Sequence, residues 1–273
     1  MSASTTLPTP APSAKPKSNR GFSLVELSIV LVILGLLVGG ILSGQSLIRA
    51  AELRSVTTEY QKYYAASQAF RDKYFALPGD MNNAINFWGA AHATPATCIT
   101  TIGTGTQTCN GDGDGRVLDC GYEAFRYWQQ LANAGLIEGQ YTGVQDATAC
   151  NHTLGVNAPR SKISNAGWSF SYLDFPAGDV STYGMAYGNM LWFGADTTAR
   201  TQTAAIKPEE AWNLDTKMDD GKPARGKVIA RTEGGGAWGT ATNCTTSANQ
   251  TDYAGEYRLS NSTTSCAFMI KAD

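Results

Sequence analysis

The apolar positions of this chain change character twice. From Phe22 to Gly44 it reads FSLVELSIVLVILGLLVGGILSG, 23 residues with one charge, Glu26, and the 18 from Leu27 to Gly44 carry none. As a helix such a stretch spans about 34 Å, enough for the hydrocarbon core of a bilayer. The apolar region of a secretory signal is about 7–15 residues, so residues 22–44 are expected to form a membrane-spanning helix. Beyond Gln45 the pattern becomes periodic. Leu47, Ala51, Leu53, Val56, Tyr60, Tyr63, Tyr64, Phe70 and Tyr74 recur at steps of three and four, with no proline or glycine before Leu77. That is the stripe of a helix packed along one face. The two stretches predict one helix of roughly 50 residues, spanning through 44 and amphipathic over 45–77. Pro78-Gly79-Asp80 ends it.

From residue 78 to 273 loops dominate. Short helices are expected over Met81–Gly89, Tyr122–Ala134 and Pro208–Asp215, the last opened by Pro208 and two glutamates. Ser169–Phe175, Tyr183–Phe193, Lys227–Arg231 and Ala267–Lys271 favour strands. The expected class is α+β: a long N-terminal helix, half transmembrane, then a globular head with an antiparallel sheet, short helices and long disulfide-stapled loops.

Charge divides the chain. Residues 1–20 are rich in Ser, Thr, Ala, Pro and Lys and cannot bury enough apolar area to fold, which suggests a leader over 1–21. The leader carries Lys15, Lys17 and Arg20 and no acid, leaving 18 Lys and Arg against 23 Asp and Glu in the remainder. Basic residues before the span keep the N-terminus cytoplasmic and send the head outward. A formal net charge of −2 gives no charge-driven reason to expect a nucleic-acid partner. All six cysteines, Cys98, Cys109, Cys120, Cys150, Cys244 and Cys266, follow the span. An even set on the outer side of a membrane reads as disulfides, with 15 possible connectivities; buried reduced thiols are the alternative. No C-x₂-C spacing suggests a metal.

At the membrane edge stands Arg20-Gly21-Phe22-Ser23-Leu24-Val25-Glu26. A glycine just outside an apolar helix offers a protease unhindered backbone. An isolated carboxylate in apolar surroundings costs at least about 2.5 kcal/mol and needs a partner, such as a cationic group on a neighbouring copy. Here the chain resembles the prepilin family, bacterial type IV pilin-like proteins and secretion pseudopilins. The resemblance implies that a prepilin peptidase cuts between Gly21 and Phe22 and methylates the new Phe22 amine. It also implies that Glu26 pairs with that amine in an assembled filament. Gly35, Gly39, Gly40 and Gly44 fit close helix packing with local melting, or equally ordinary small-residue packing spots. Implied partners are other pilin-like subunits, the peptidase and the inner membrane, with the head in the periplasm before placement in a pilus or pseudopilus.

In the head, Asn110, Asp112 and Asp114 alternate with glycines ahead of Gly115 and Val117, the first half of a calcium loop. Gly121 stands at the twelfth position, so Asp119 or Glu123 would have to supply the closing carboxylate. Calcium is the candidate cofactor; a metal-free Gly/Asp/Asn turn is the alternative. Asp215, Asp219 and Asp220 read as a helix cap and turn through Gly221 rather than a second oxygen cluster. Residues 221–227 superficially match a phosphate-binding loop, but Val228 replaces the hydroxyl residue and a strand follows. His92 and His152 read as surface residues, and Tyr122, Phe125, Tyr127 and Trp128 as core. No nucleophile–base or metal–base set is recognisable, so a structural protein is favoured over a signal-anchored periplasmic enzyme. A tethered, non-polymerising calcium- or ligand-binding protein is the other rival.

Overall fold

A computed structural model describes residues 21–118, 121–145, 151–174, 182–195, 200–232, 238–240 and 242–272. Helix α1 runs Leu24–Tyr74, followed by α2 (Ile85–Trp88), α3 (Pro95–Cys98), α4 (Tyr122–Asn133), β1 (Ala166–Leu173), β2 (Gly188–Ala195), α5 (Pro208–Met218), β3 (Val228–Thr232) and β4 (Cys266–Lys271). The chain divides into two compact units, residues 1–48 and 49–273.

In the first unit the described residues are almost wholly helical and exposed. By length and composition this helix can cross a membrane. Among the described residues of this unit nothing covers its apolar side chains: Leu31, Val32, Leu36 and Leu42 are all more than half exposed. Apolar side chains in that state need a solvent of their own kind, whether lipid or another helix.

The second unit contains the remainder of α1 and the head. Here Val56, Tyr60, Tyr63, Ala66 and Phe70 are buried at the three- and four-residue spacing read from the sequence. The helix stops three residues earlier than the amphipathic stretch. Phe75 turns to φ +54°, a left-handed conformation that breaks the i→i−4 ladder before Pro78 is reached.

The sheet has four antiparallel strands in the order β1-β2-β4-β3. Trp168 pairs with Phe193, Phe170 with Leu191, and Phe193 with Phe268 in register. Because side chains alternate faces along a strand, these residues with Val228, Ala230 and Ile270 cover one side. That side packs on α1 and α4 in one core, where Tyr63 meets Trp128 and Trp168 edge-on at 5.0 and 5.7 Å. Met190, Trp192, Ile229 and Met269 face the other way and pack with Tyr183, Tyr187 and Ala224.

Several expected elements shift. β1 begins at Ala166 rather than Ser169 and takes in Gly167, where a Cβ would overlap Leu154 and the Pro159 carbonyl. Tyr183–Tyr187 packs on the outer face of the sheet, and β2 starts only after Gly188 at φ +81°. The helix expected over Met81–Gly89 shrinks to Ile85–Trp88, its first amide held by the Asn110 side chain at 3.0 Å. α5 continues to Met218, and α3 was not expected.

Candidate functional site

Two places concentrate the expected chemistry. At the first, Gly21 and Phe22 lie outside the helix and Phe22 is exposed. Ser23 is the N-cap. Its Oγ accepts from the Val25 amide at 3.2 Å, and its own amide donates to Glu26 Oε2 at 2.8 Å. Glu26 at N3 reaching back to the N-cap amide is the glutamate half of a capping box, while the serine hydroxyl takes the N2 amide, so two amides at the helix start are satisfied. The carboxylate that the sequence leaves without a partner therefore caps its own helix within a single copy, where the positive end of the macrodipole favours it. Among the described residues, Gly35, Gly39, Gly40 and Gly44 have no non-local atom within 4 Å of where a Cβ would stand.

The second place lies in the head. Oxygens of Asp80, Asp112 and Glu123 come within 4.8 Å of one another. Asp80, which sequence reading treats only as the end of the long helix, is the centre of the arrangement. Its Oδ1 accepts from the amides of Gly113 and Asp114 at 2.8 and 3.1 Å, and its Oδ2 from Gly115 at 3.0 Å. Glu123 accepts from the Asp112 and Leu118 amides at 3.1 and 3.3 Å. The glycine-rich loop thus wraps a carboxylate with backbone donors. A useful signal in the sequence was the run of glycine amides, which have to find an acceptor, and Asp80 follows directly on the Pro-Gly turn.

Of the expected oxygen ligands, Asp112 and Glu123 meet. Asn110 instead accepts from the Ile85 amide, and Asp114 from the Arg116 amide at 2.8 Å. Asp119 lies outside the described residues. Burial raises Glu123 to about 7 against the pull of its two amide donors, and neighbouring Asp112 and Asp80 push the same way. Burial also raises Asp80. A carboxylate has about four acceptor sites, so each of the three retains at least one beyond its amide partners. The donor set of hard oxygens fits calcium, and a proton competes for the same place.

Asp215, Asp219 and Asp220 also approach within 4.8 Å. Each is occupied as a turn builder. Asp215 accepts from Tyr257 Oη at 2.7 Å and the Gly221 amide, Asp219 from the Lys227 and Val228 amides, and Asp220 from the Lys222 amide at 2.9 Å. β3 begins at Val228, so the phosphate-loop lookalike is a turn entering a strand.

Cys98 pairs with Cys109, and Cys244 with Cys266. Cys120 and Cys150 lie outside the described residues. Phe125, Tyr127 and Trp128 are core, as expected, while Tyr122 is only half-buried. His152 is not a surface residue: it is buried with its ring 4.6 Å from that of Phe125. His92 is partly exposed, its Nδ1 accepting from the Thr94 amide.

Residues 16–42 match the family described as the prokaryotic N-terminal methylation motif. The match covers Gly21, Phe22, the Ser23–Glu26 cap and most of the apolar helix, and is consistent with a prepilin- or pseudopilin-type protein. No curated protein and no solved structure matches the chain.

Proposed function

We propose that this chain is a structural subunit of a type IV pilus or a type II secretion pseudopilus, cleaved after Gly21 and assembled through its N-terminal helix. The observation that carries the reading is the methylation motif seated on an apolar helix with no cover inside its own unit. In this reading residues 1–21 are the cytoplasmic leader, 22–44 sit in the inner membrane until assembly, 45–77 form the packing half of the helix, and 78–273 are the periplasmic or extracellular head. Glu26 exchanges its cap for the methylated Phe22 amine of a neighbour, and the exposed apolar stripe supplies the packing energy between copies. The chain has no catalytic role; prepilin peptidase and other pilin-like subunits are its partners.

Mass spectrometry of the N-terminal peptide from membranes of the native host tests this. A mature chain beginning at N-methylated Phe22 is the expected result. A chain that keeps residues 1–21 while the peptidase is active would sink the reading and favour a tethered, non-polymerising protein. Glu26→Ala separates the two again, because it impairs assembly of a subunit and leaves a tethered monomer unaffected. Calcium held by Asp80, Asp112 and Glu123 is compatible with either reading, and rests on the hard-oxygen donor set those three residues provide.

A further inference from the structure

Helix α4 contains an arginine where a cation has no electrostatic reason to be. Arg126 is fully buried, and among the described residues no carboxylate accepts a hydrogen bond from it. Its Nη1 donates to Gln129 Oε1 at 2.8 Å, its Nη2 donates to the carbonyls of Cys98 and Thr101 at 2.9 and 3.0 Å, and its Nε has no partner among the described residues. The neighbouring glutamines grip the same segment. Gln129 Nε2 donates to the Gln107 carbonyl at 3.2 Å and Gln129 Oε1 accepts from Thr108 Oγ1 at 2.8 Å, while Gln130 Nε2 donates to the Cys109 carbonyl at 3.2 Å. Three side chains of one helix therefore hold both ends and the interior of the loop that Cys98–Cys109 closes.

We infer that this clasp is an oxidation-gated lock: the head completes its fold only after Cys98 and Cys109 are joined, and Arg126 enforces the order. Both cysteines, the ends of this loop, are buried once it is docked, so an oxidant has to reach them before docking. A thiolate of one attacks a disulfide-bearing oxidant, the second thiol displaces the mixed disulfide, and the oxidant leaves as a dithiol with the two electrons. The closed loop then presents its carbonyls as a preformed set. While the thiols are reduced, the loop is long and unconstrained, and docking α4 would strand a guanidinium in the core with two of its three acceptors missing. A buried charge that loses its partners is among the more costly defects a core can hold. A reduced chain on the cytoplasmic side of a membrane thus keeps its head unfolded, and one that has crossed to an oxidising compartment folds.

The test is a double-mutant cycle on the full chain in detergent micelles, with Cys98→Ala/Cys109→Ala and Arg126→Met measured separately and together by denaturant unfolding followed through tryptophan fluorescence. Loss of loop closure alone lowers the folding constant roughly a hundredfold. With Arg126 present the expected loss is at least tenfold greater than in the Arg126→Met background. Equal losses within threefold in the two backgrounds would overturn the lock. If the cysteine-free chain fails to fold with arginine but folds with methionine, the coupling is shown directly. If neither folds, reduction of the native disulfides by a small thiol decides the matter. Arg126→Met should speed cleavage of Cys98–Cys109 at least tenfold and leave Cys244–Cys266 unchanged; equal rates at the first bond, or equal acceleration of both, would refute it.

Discussion

Removing the charge of Glu210 should destabilise the head by about 2 kcal/mol, most of it returned as coupling to Arg49. The two residues form a fork-to-fork pair, with Arg49 Nε on Oε1 at 2.6 Å and Nη2 on Oε2 at 2.7 Å. Arg49 Nη1 also reaches Glu52 at 3.0 Å, and Glu210 Oε2 accepts from the Lys207 amide at 2.9 Å, which completes the cap of α5. An exposed ion pair is worth about 0.2–1 kcal/mol, while breaking a fully buried one costs about 3–5. Here the glutamate side chain is 14 % exposed and the arginine 34 %, so the pair belongs between those limits. Its bidentate, charge-assisted geometry favours the upper half of that interval, a coupling of about 1.5–2.5 kcal/mol. For a head of this size that is roughly 4–8 °C in Tm. Glu210→Gln, Arg49→Met and the double variant, unfolded thermally as full chains in a zwitterionic detergent, measure the coupling. The effect should also follow pH with a definite sign. Burial pushes Glu210 up, but the Arg49 and Lys207 bonds outweigh it and hold the carboxyl below its ordinary 4.5. The contribution is therefore complete above about pH 4.5 and lost as pH falls through the lower folded value. A coupling under about 0.5 kcal/mol, or one equally present at pH 2.5 and pH 7, would refute the argument.

Three other outcomes follow from the buried carboxylates and the turn that frames them. Burial raises Asp215 to about 7, so its share of stability is complete below about pH 4 and lost as pH rises toward 7. Asp215→Asn, which keeps an acceptor for Tyr257, should flatten that slope by roughly 2–4 kcal/mol, and an unchanged slope in pH-dependent unfolding would contradict it. Calcium at millimolar concentration should raise the Tm at pH 7.5 in the native chain and not in Glu123→Gln; no shift, and no heat on titration, would remove the metal from consideration. Gly79→Ala should cost at least about 3 kcal/mol, since φ is +85° and the new Cβ would overlap the Glu123 carbonyl oxygen and stand 3.0 Å from the Tyr127 amide. Near-native unfolding of that variant would show that the turn relaxes freely.

What could be read from the sequence, and what could not, divides according to where each residue's partner comes from. The apolar helix through Leu27–Gly44 was legible because its meaning lies in uniform apolarity, which needs no knowledge of neighbours. The packing face of α1 was legible for the same reason, since Val56, Tyr60, Tyr63 and Phe70 announce their face by spacing alone. The strands were placed to within a few residues, and the larger errors lie at the starts of β1 and β2. Gly167 is in β1 because Leu154 and Pro159 press against it, and nothing within the strand reveals that. Polar residues were harder to place. In the run YEAFRYWQQLANA nothing marks Arg126 for the core, and it is buried because acceptors arrive from positions 98 and 101. Asp80 passed as a helix stop because the amides that surround it belong to residues 113–115.

A buried polar group has to be satisfied, but the rule does not say by which segment. Apolar residues carry their destination in their own periodicity, whereas a polar residue's destination is written partly in another stretch of chain. The N-terminal motif is the instructive intermediate. Glu26 could be singled out at once because a lone acid in an apolar run has to find a partner, and within one copy that partner is the amide of Ser23, three residues away. The cap is local and uses one hydrogen bond from a neutral donor, so a cationic amine brought up by a second copy offers a stronger, charge-assisted alternative. In the proposed assembly a carboxylate held in this way is stable enough to wait in the single copy and weakly enough engaged to be exchanged.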